Sequence, residues 1–179
     1  RIFGSKIYEK DANVAIKFCH KVFAAADYPQ VLNDRFGEVD YWIWIDADVI
    51  WSKTIDERFL EAVCQPSYLC SYLGRRNWHH SECGLVGYNV SSGSNKILDY
   101  MKFFYTSGLI FGLPEWHDSY VFDVVRNGMA ASGYQCNDLA KDVHLSCGDI
   151  NIYPKTILGE YSIHNKGPLA KIEAYGDIL

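Results

Sequence analysis

The run Tyr41-Trp42-Ile43-Trp44-Ile45-Asp46-Ala47-Asp48 constrains this chain more than any other stretch. Bulky apolar and aromatic residues lead straight into two carboxylates separated by one alanine. A short continuous run of this kind predicts a strand buried on both faces, as in a mostly parallel central sheet flanked by helices. Side chains alternate faces along a strand, so Asp46 and Asp48 are expected on one side and Ala47 on the other. In open α/β sheets the ligand crevice lies beyond the carboxyl ends of the strands, which is where the pair falls. Two carboxylates there repel each other unless something positive shares the site. Hard oxygen donors suit a divalent cation.

The rest of the chain mixes helix and strand patterns, in keeping with an α/β class. Residues 11–27 space Val14, Ile16, Phe18, Val22, Phe23 and Ala26 as an amphipathic helix, with Asp11 as a cap and Pro29 ending it. Asp56 to Val63 reads as a short helix, Tyr68–Leu73 as a strand and Glu82 to Asn89 as a strand or turn-strand with two glycines. A helix is expected from Lys96 to about Phe104, and another over 118–127 that stops at Gly128. Beyond Gly133 the pattern breaks into short strands and loops. No repeat, low-complexity tract or linker divides residues 1–179, so one domain is expected.

Charge and cysteines narrow the function classes. A formal net charge of −5, with no basic run longer than Arg75-Arg76, argues against a nucleic-acid partner. The six cysteines (Cys19, Cys64, Cys70, Cys83, Cys136, Cys147) form no CxxC pair, which disfavours a thiolate zinc site and makes reduced thiols the expectation. Those thiols, with no signal peptide or membrane span in the sequence, favour a cytoplasmic setting. The start at Arg1-Ile2-Phe3-Gly4, without methionine, reads as a cut.

Two later segments add chemistry to the acid pair. In His164-Asn165-Lys166-Gly167-Pro168 the imidazole can complete an oxygen-rich Mn²⁺ site, Lys166 offers a point charge for phosphate, and Gly167 lets backbone approach a ligand. Taken alone, such a loop is more often a surface turn than a site. Glu115-Trp116-His117-Asp118-Ser119 can form a sugar-facing wall, or Asp118 or Ser119 can simply cap the helix that follows. Trp42, Trp44 and Trp51 are read as core or strand-flanking residues. His20, His79, His80 and His144 are read as surface or satisfied polar groups.

In this order the segments resemble a GT-A-fold glycosyltransferase. They are Phe18-Cys-His-Lys21, the strand with Asp46-Ala-Asp48-Val49, Glu82-Cys-Gly84-Leu-Val, Trp116-His-Asp118 and His164-Asn-Lys166-Gly167. The likeness runs from residue 17 to about residue 171 and is closest to the glycogenin-like, retaining branch. It implies a single GT-A (Rossmann-like) domain with a nucleotide-sugar donor, UDP-linked, and an acceptor that is a glycan, lipid, protein or small molecule. The resemblance also implies Mn²⁺ or Mg²⁺ held by Asp46, Asp48 and His164. Lys21, Asp46, Gly84, Lys166 and Gly167 would meet the donor.

The sequence departs from the family at informative places. Ser81-Glu82-Cys83-Gly84 stands for Asn-Ser-Gly, and His117-Asp118-Ser119-Tyr120 for Asp-Gln-Gly. Trp116-His-Asp118 is also similar to a segment of the blood-group type transferases, without its glutamate. Asp118 and Glu82 therefore stand as alternative catalytic carboxylates. Lys171 lies one position past the family's loop lysine, which matches Ala170. So little chain precedes Lys21 that the first nucleotide-binding strand and its base pocket are expected to be truncated.

Two other classes fit parts of the pattern. Ile45-Asp46-Ala-Asp48-Val49 matches the haloacid dehalogenase phosphatases, with Asp46 as nucleophile, Asp48 as general acid, and Lys141 and Gly148-Asp149 as stand-ins for their downstream groups. A non-catalytic module that binds metal and carbohydrate is the third.

Overall fold

A computed structural model describes residues 12–75, 79–144 and 151–165. The first helix, α1 (Ala12–Phe36), is longer than its sequence pattern suggests and carries Pro29 inside it. Proline removes one donor from a helix but does not forbid its continuation when later turns find contacts. Leu32 packs against the core and Gln30 bonds Asp34, so α1 runs on to Gly37. Gly37 has φ 81°, and its N–H donates to Asn33 O at 3.0 Å, a left-handed stop that glycine adopts freely. Asp11 lies outside the described residues.

The strands are β1 (Tyr41–Ile45), β2 (Val49–Trp51), β3 (Cys70–Leu73), β4 (Glu82–Asn89), β5 (Asn137–Asp138) and β6 (Ser162–His164). Four of them form a sheet of order β1-β4-β3-β5, and β2 and β6 form a separate antiparallel ribbon. The helices α2 (Glu57–Val63), α3 (Asn95–Thr106), α4 (Asp118–Ala131) and α5 (Ile157–Tyr161) complete the fold. Side chains from α1, α3 and α4 pack on one face of the sheet, through Val22, Leu98, Met101 and Phe122 against Tyr72, Val86 and Tyr88. Phe59 and Val63 of α2 and Leu158 and Tyr161 of α5 pack with Leu73 and Leu85 on the other. The class is mixed α/β with a helix-flanked central sheet, as the sequence implies.

Strand direction differs from the expectation of a mostly parallel sheet. Among the described strands β1 and β3 both run antiparallel to β4, and β3 with β5 is the parallel pair. A run of apolar residues reports burial, not direction, and helices cover both faces here. Strands β3 and β4 are buried at every position, whereas β1 buries only Trp42 outright. Trp42 stacks on its cross-strand partner Tyr88 with ring centroids 4.6 Å apart. No helix among the described residues is long and apolar enough to cross a membrane.

Candidate metal and carboxylate site

The site lies where the ends of β1 and β6 meet the start of β4. Strand β1 stops at Ile45. Asp46 N–H still donates to Gly84 O at 2.8 Å, and Val49 N–H closes a turn on Asp46 O at 3.1 Å. The turn, rather than the pleat of a strand, therefore brings Asp46 and Asp48 together. The ribbon supplies the third group, because Val49 pairs with His164 and Asn165 N–H donates to Asp48 O at 2.9 Å. Asp46, Asp48 and His164 each offer one ligand atom, and those atoms lie within 4.8 Å of one another.

His164 is held on three sides. Its Nε2 is 3.1 Å from Asp48 Oδ1, and its Nδ1 is 3.7 Å from Glu82 Oε1. The ring lies directly over Gly84, where a Cβ would come within 2.3 Å of Cε1. Burial pushes its pKa below the ordinary value of 6.5, outweighing the charges of Asp48 and Asp46. A neutral imidazole is what a metal requires. Nδ1 is buried with no hydrogen-bond partner among the described residues. The donor set fits a cation: two carboxylates and Nε2 face inward, and Nδ1 turns to an outer carboxylate, as ligating histidines do.

Glu82 is buried at the head of β4. Its carboxylate pairs with Arg75, accepts Gly84 N–H at 3.2 Å and faces His164. Arg75 is a partner that no spacing in the sequence announces, because the contact joins a residue just past β3 to the head of the antiparallel strand β4.

A second group adjoins the first through Asp46. The burial of Val22 and Ala25 fixes the rotation of α1 against the sheet and brings Lys21 to the end of β1. The Lys21 ammonium donates to Asp46 Oδ1 at 2.8 Å, Asp118 Oδ2 at 2.9 Å and Cys83 O at 2.8 Å, which uses all three of its protons. Trp44 Nε1–H also donates to Asp46 Oδ1, at 2.7 Å. Burial works against the charge on Lys21, yet Asp118 and Asp46 outweigh it and hold its pKa above the ordinary lysine value.

The cap of α4 differs from expectation. His117 is the N-cap, and its Nδ1 accepts Tyr120 N–H at 3.3 Å. Asp118 therefore sits inside the first turn, buried and turned to Lys21 rather than spent on capping. Helix α4 also passes Gly128 and ends near Gly133, which has φ 90°.

Of the residues singled out in the sequence, Asp46, Asp48, Glu82, Gly84 and His164 form one group, and Asp46 joins it to Lys21 and Asp118 in the other. Lys166, Gly167, Lys171, Gly148 and Asp149 lie outside the described residues. Lys141 follows β5, on the edge of the sheet opposite β1, so the cation at Asp46 is Lys21. The described cysteines are free thiols.

No family model and no curated protein matches the sequence. In structure the chain is similar to a glycosyltransferase involved in the glycosylation of the major capsid of PBCV-1. The likeness has 15% identity and a TM-score of 0.45, over 96% of this chain and 81% of that one.

Proposed function

We propose that this chain is a metal-dependent glycosyltransferase of GT-A type, moving a sugar from a nucleotide-diphosphate donor, UDP-linked by the family resemblance, to an acceptor hydroxyl. The observation that carries the reading is the convergence of Asp46, Asp48 and His164, drawn from two separate parts of the chain, beside the Lys21–Asp118 pair. Asp46, Asp48 and His164 would hold Mn²⁺ or Mg²⁺. Such an ion neutralises the charge that builds on a departing diphosphate. Glu82 orients His164 from behind, with Arg75 balancing its charge. Lys21 sets Asp118 beside the donor, where that carboxylate can orient the acceptor hydroxyl or face positive charge on the sugar ring. The resemblance favours retention of configuration and assigns Gly84, Lys166 and Gly167 to the donor.

Calorimetric titration of UDP with Mn²⁺, and again with EDTA, tests the reading. Binding that requires Mn²⁺ and vanishes in Asp48→Asn is expected, followed by turnover on a panel of UDP-sugars. Tight binding that ignores EDTA and survives Asp48→Asn would overturn it. A covalent phosphoryl adduct on Asp46 would instead favour the phosphatase class, and metal-dependent binding without turnover the non-catalytic module.

A further inference from the structure

We propose that His80, Glu115 and His117 form a second cation site, selective for a borderline transition metal such as Zn²⁺. His80 lies on the segment entering β4, and Glu115 and His117 lie just before α4. The two imidazoles close on one carboxylate: His80 Nε2 is 3.1 Å from Glu115 Oε1, and His117 Nε2 is 2.8 Å from Glu115 Oε2. One ligand atom from each lies within 4.8 Å of the others. A cation with ligand bonds of about 2.0–2.2 Å fits between such atoms after a small outward shift. Two imidazoles and one carboxylate suit Zn²⁺, Co²⁺ or Ni²⁺, whereas the oxygen-richer Asp46–Asp48–His164 set suits Mn²⁺ or Mg²⁺.

An outer shell is already built. His80 Nδ1 faces Asp123 Oδ2 at 3.8 Å. That carboxylate is held by Ser81 N–H at 2.8 Å, Ser81 Oγ at 2.5 Å and Arg126 Nη2 at 3.2 Å. A carboxylate behind one ring nitrogen, with the other nitrogen aimed at a shared centre, is how metal-binding histidines are oriented. Tyr120 also meets the His80 ring edge to face, with centroids 4.8 Å apart. The three ligand side chains are 34%, 20% and 13% exposed, so an ion can enter from solvent and keep an open coordination position.

The site carries a built-in cost at His117. Its Nδ1 accepts Tyr120 N–H, so the neutral ring holds its proton on Nε2 and donates to Glu115. For Nε2 to bind an ion that proton moves to Nδ1, and the 3.3 Å cap contact is given up. His80 Nε2 also gives up the proton it donates to Glu115, but its Nδ1 breaks no cap and can take a proton toward Asp123. The His80–Glu115 pair therefore anchors the ion, and His117 joins it. His117 and Asp118 are consecutive, so an ion here sits at the flank of the Lys21–Asp118 group.

The test uses Asp48→Asn protein, in which the first set of ligands is broken, and Zn²⁺ alone in equilibrium dialysis. One equivalent of Zn²⁺ is expected to remain bound and to be lost when His80→Ala or Glu115→Gln is added. Asp123→Asn should weaken binding about tenfold or more. Co²⁺ should give a visible absorption band that disappears in the same variants, and far-UV circular dichroism of each variant confirms folding. Zn²⁺ that is not retained by folded Asp48→Asn protein, or is retained unchanged after His80→Ala, would overturn the second site. Failure of the transferase reading would show elsewhere, in UDP binding to the wild type with Mn²⁺.

Discussion

Lys21 satisfies three acceptors at once, and two of them are carboxylates that would otherwise face each other with no cation between them. Replacing it with methionine keeps most of the volume but leaves Asp46, Asp118 and Cys83 O without their shared donor. Removing one partner of a buried pair costs about 3–5 kcal/mol, so Lys21→Met should lose roughly that much in urea unfolding. Adding Asp118→Asn should restore part of it, and no recovery would show that the pair is not the cause. The alkaline behaviour follows from the raised pKa. The ammonium's contribution is complete below the ordinary lysine value of 10.5 and is lost only as pH climbs through the higher folded value. Wild-type stability should therefore fall more steeply above pH 10.5 than that of Lys21→Met. At this scale the sequence singled out Asp46, Asp48 and His164, and the fold brings them together, although an acid pair can also end a strand in solvent and a His-Lys-Gly loop can also be a surface turn. The partners Arg75, Trp44 and Cys83 O were not, since each depends on a tertiary approach that spacing does not encode. His80, read as a surface or satisfied group, proves to share a carboxylate with His117.

Elements were legible where periodicity was strong and less so at their ends. The sequence placed α2 and β4 closely, whereas Pro29 and Gly128 looked like stops and are passed through, because packing of the following turns outweighs local preference. Strand direction was invisible, since burial on two faces looks alike in parallel and antiparallel pairings. The approach of β6 to the site depends on α5, and α5 depends on Gly159. A Cβ there would lie 2.4 Å from Pro154 Cα, and the obstructing atoms are backbone that cannot rotate aside. Gly159→Ala should therefore destabilise the fold by about 3 kcal/mol, the upper part of the range for overpacking, and should weaken Mn²⁺ binding by shifting β6. Gly84→Ala meets the His164 ring, which can yield only by leaving its place between Asp48 and Glu82. It should damage Mn²⁺ binding more than stability. Urea unfolding and metal titration on both variants separate the two, and equal stability losses would contradict the distinction.

For the molecule as a whole, the candidate site is also a junction. Asp46 and Glu82 belong to the ends of the four-stranded sheet, and Asp48 and His164 to the turn and ribbon beside it. The link between them consists of the Asp48–His164 contact, the approach of His164 to Glu82, and the packing of α5 against α2 and the sheet. The α/β class was legible because helix and strand patterns both survive in any topology. The junction was not, because β2 is only three residues long and pairs with a strand far away in sequence. An ion bound by Asp46, Asp48 and His164 would tie both parts together in the folded state and find no such site in the unfolded chain. At a hundredfold excess over Kd that linkage is worth about 2.7 kcal/mol, which for a chain of this size raises Tm by roughly 5–11 °C. Mn²⁺ should therefore raise the melting temperature of wild-type protein in a concentration-dependent way. Asp48→Asn should melt at the same temperature with or without the ion, and an equal rise in that variant would move the stabilising cation away from this junction.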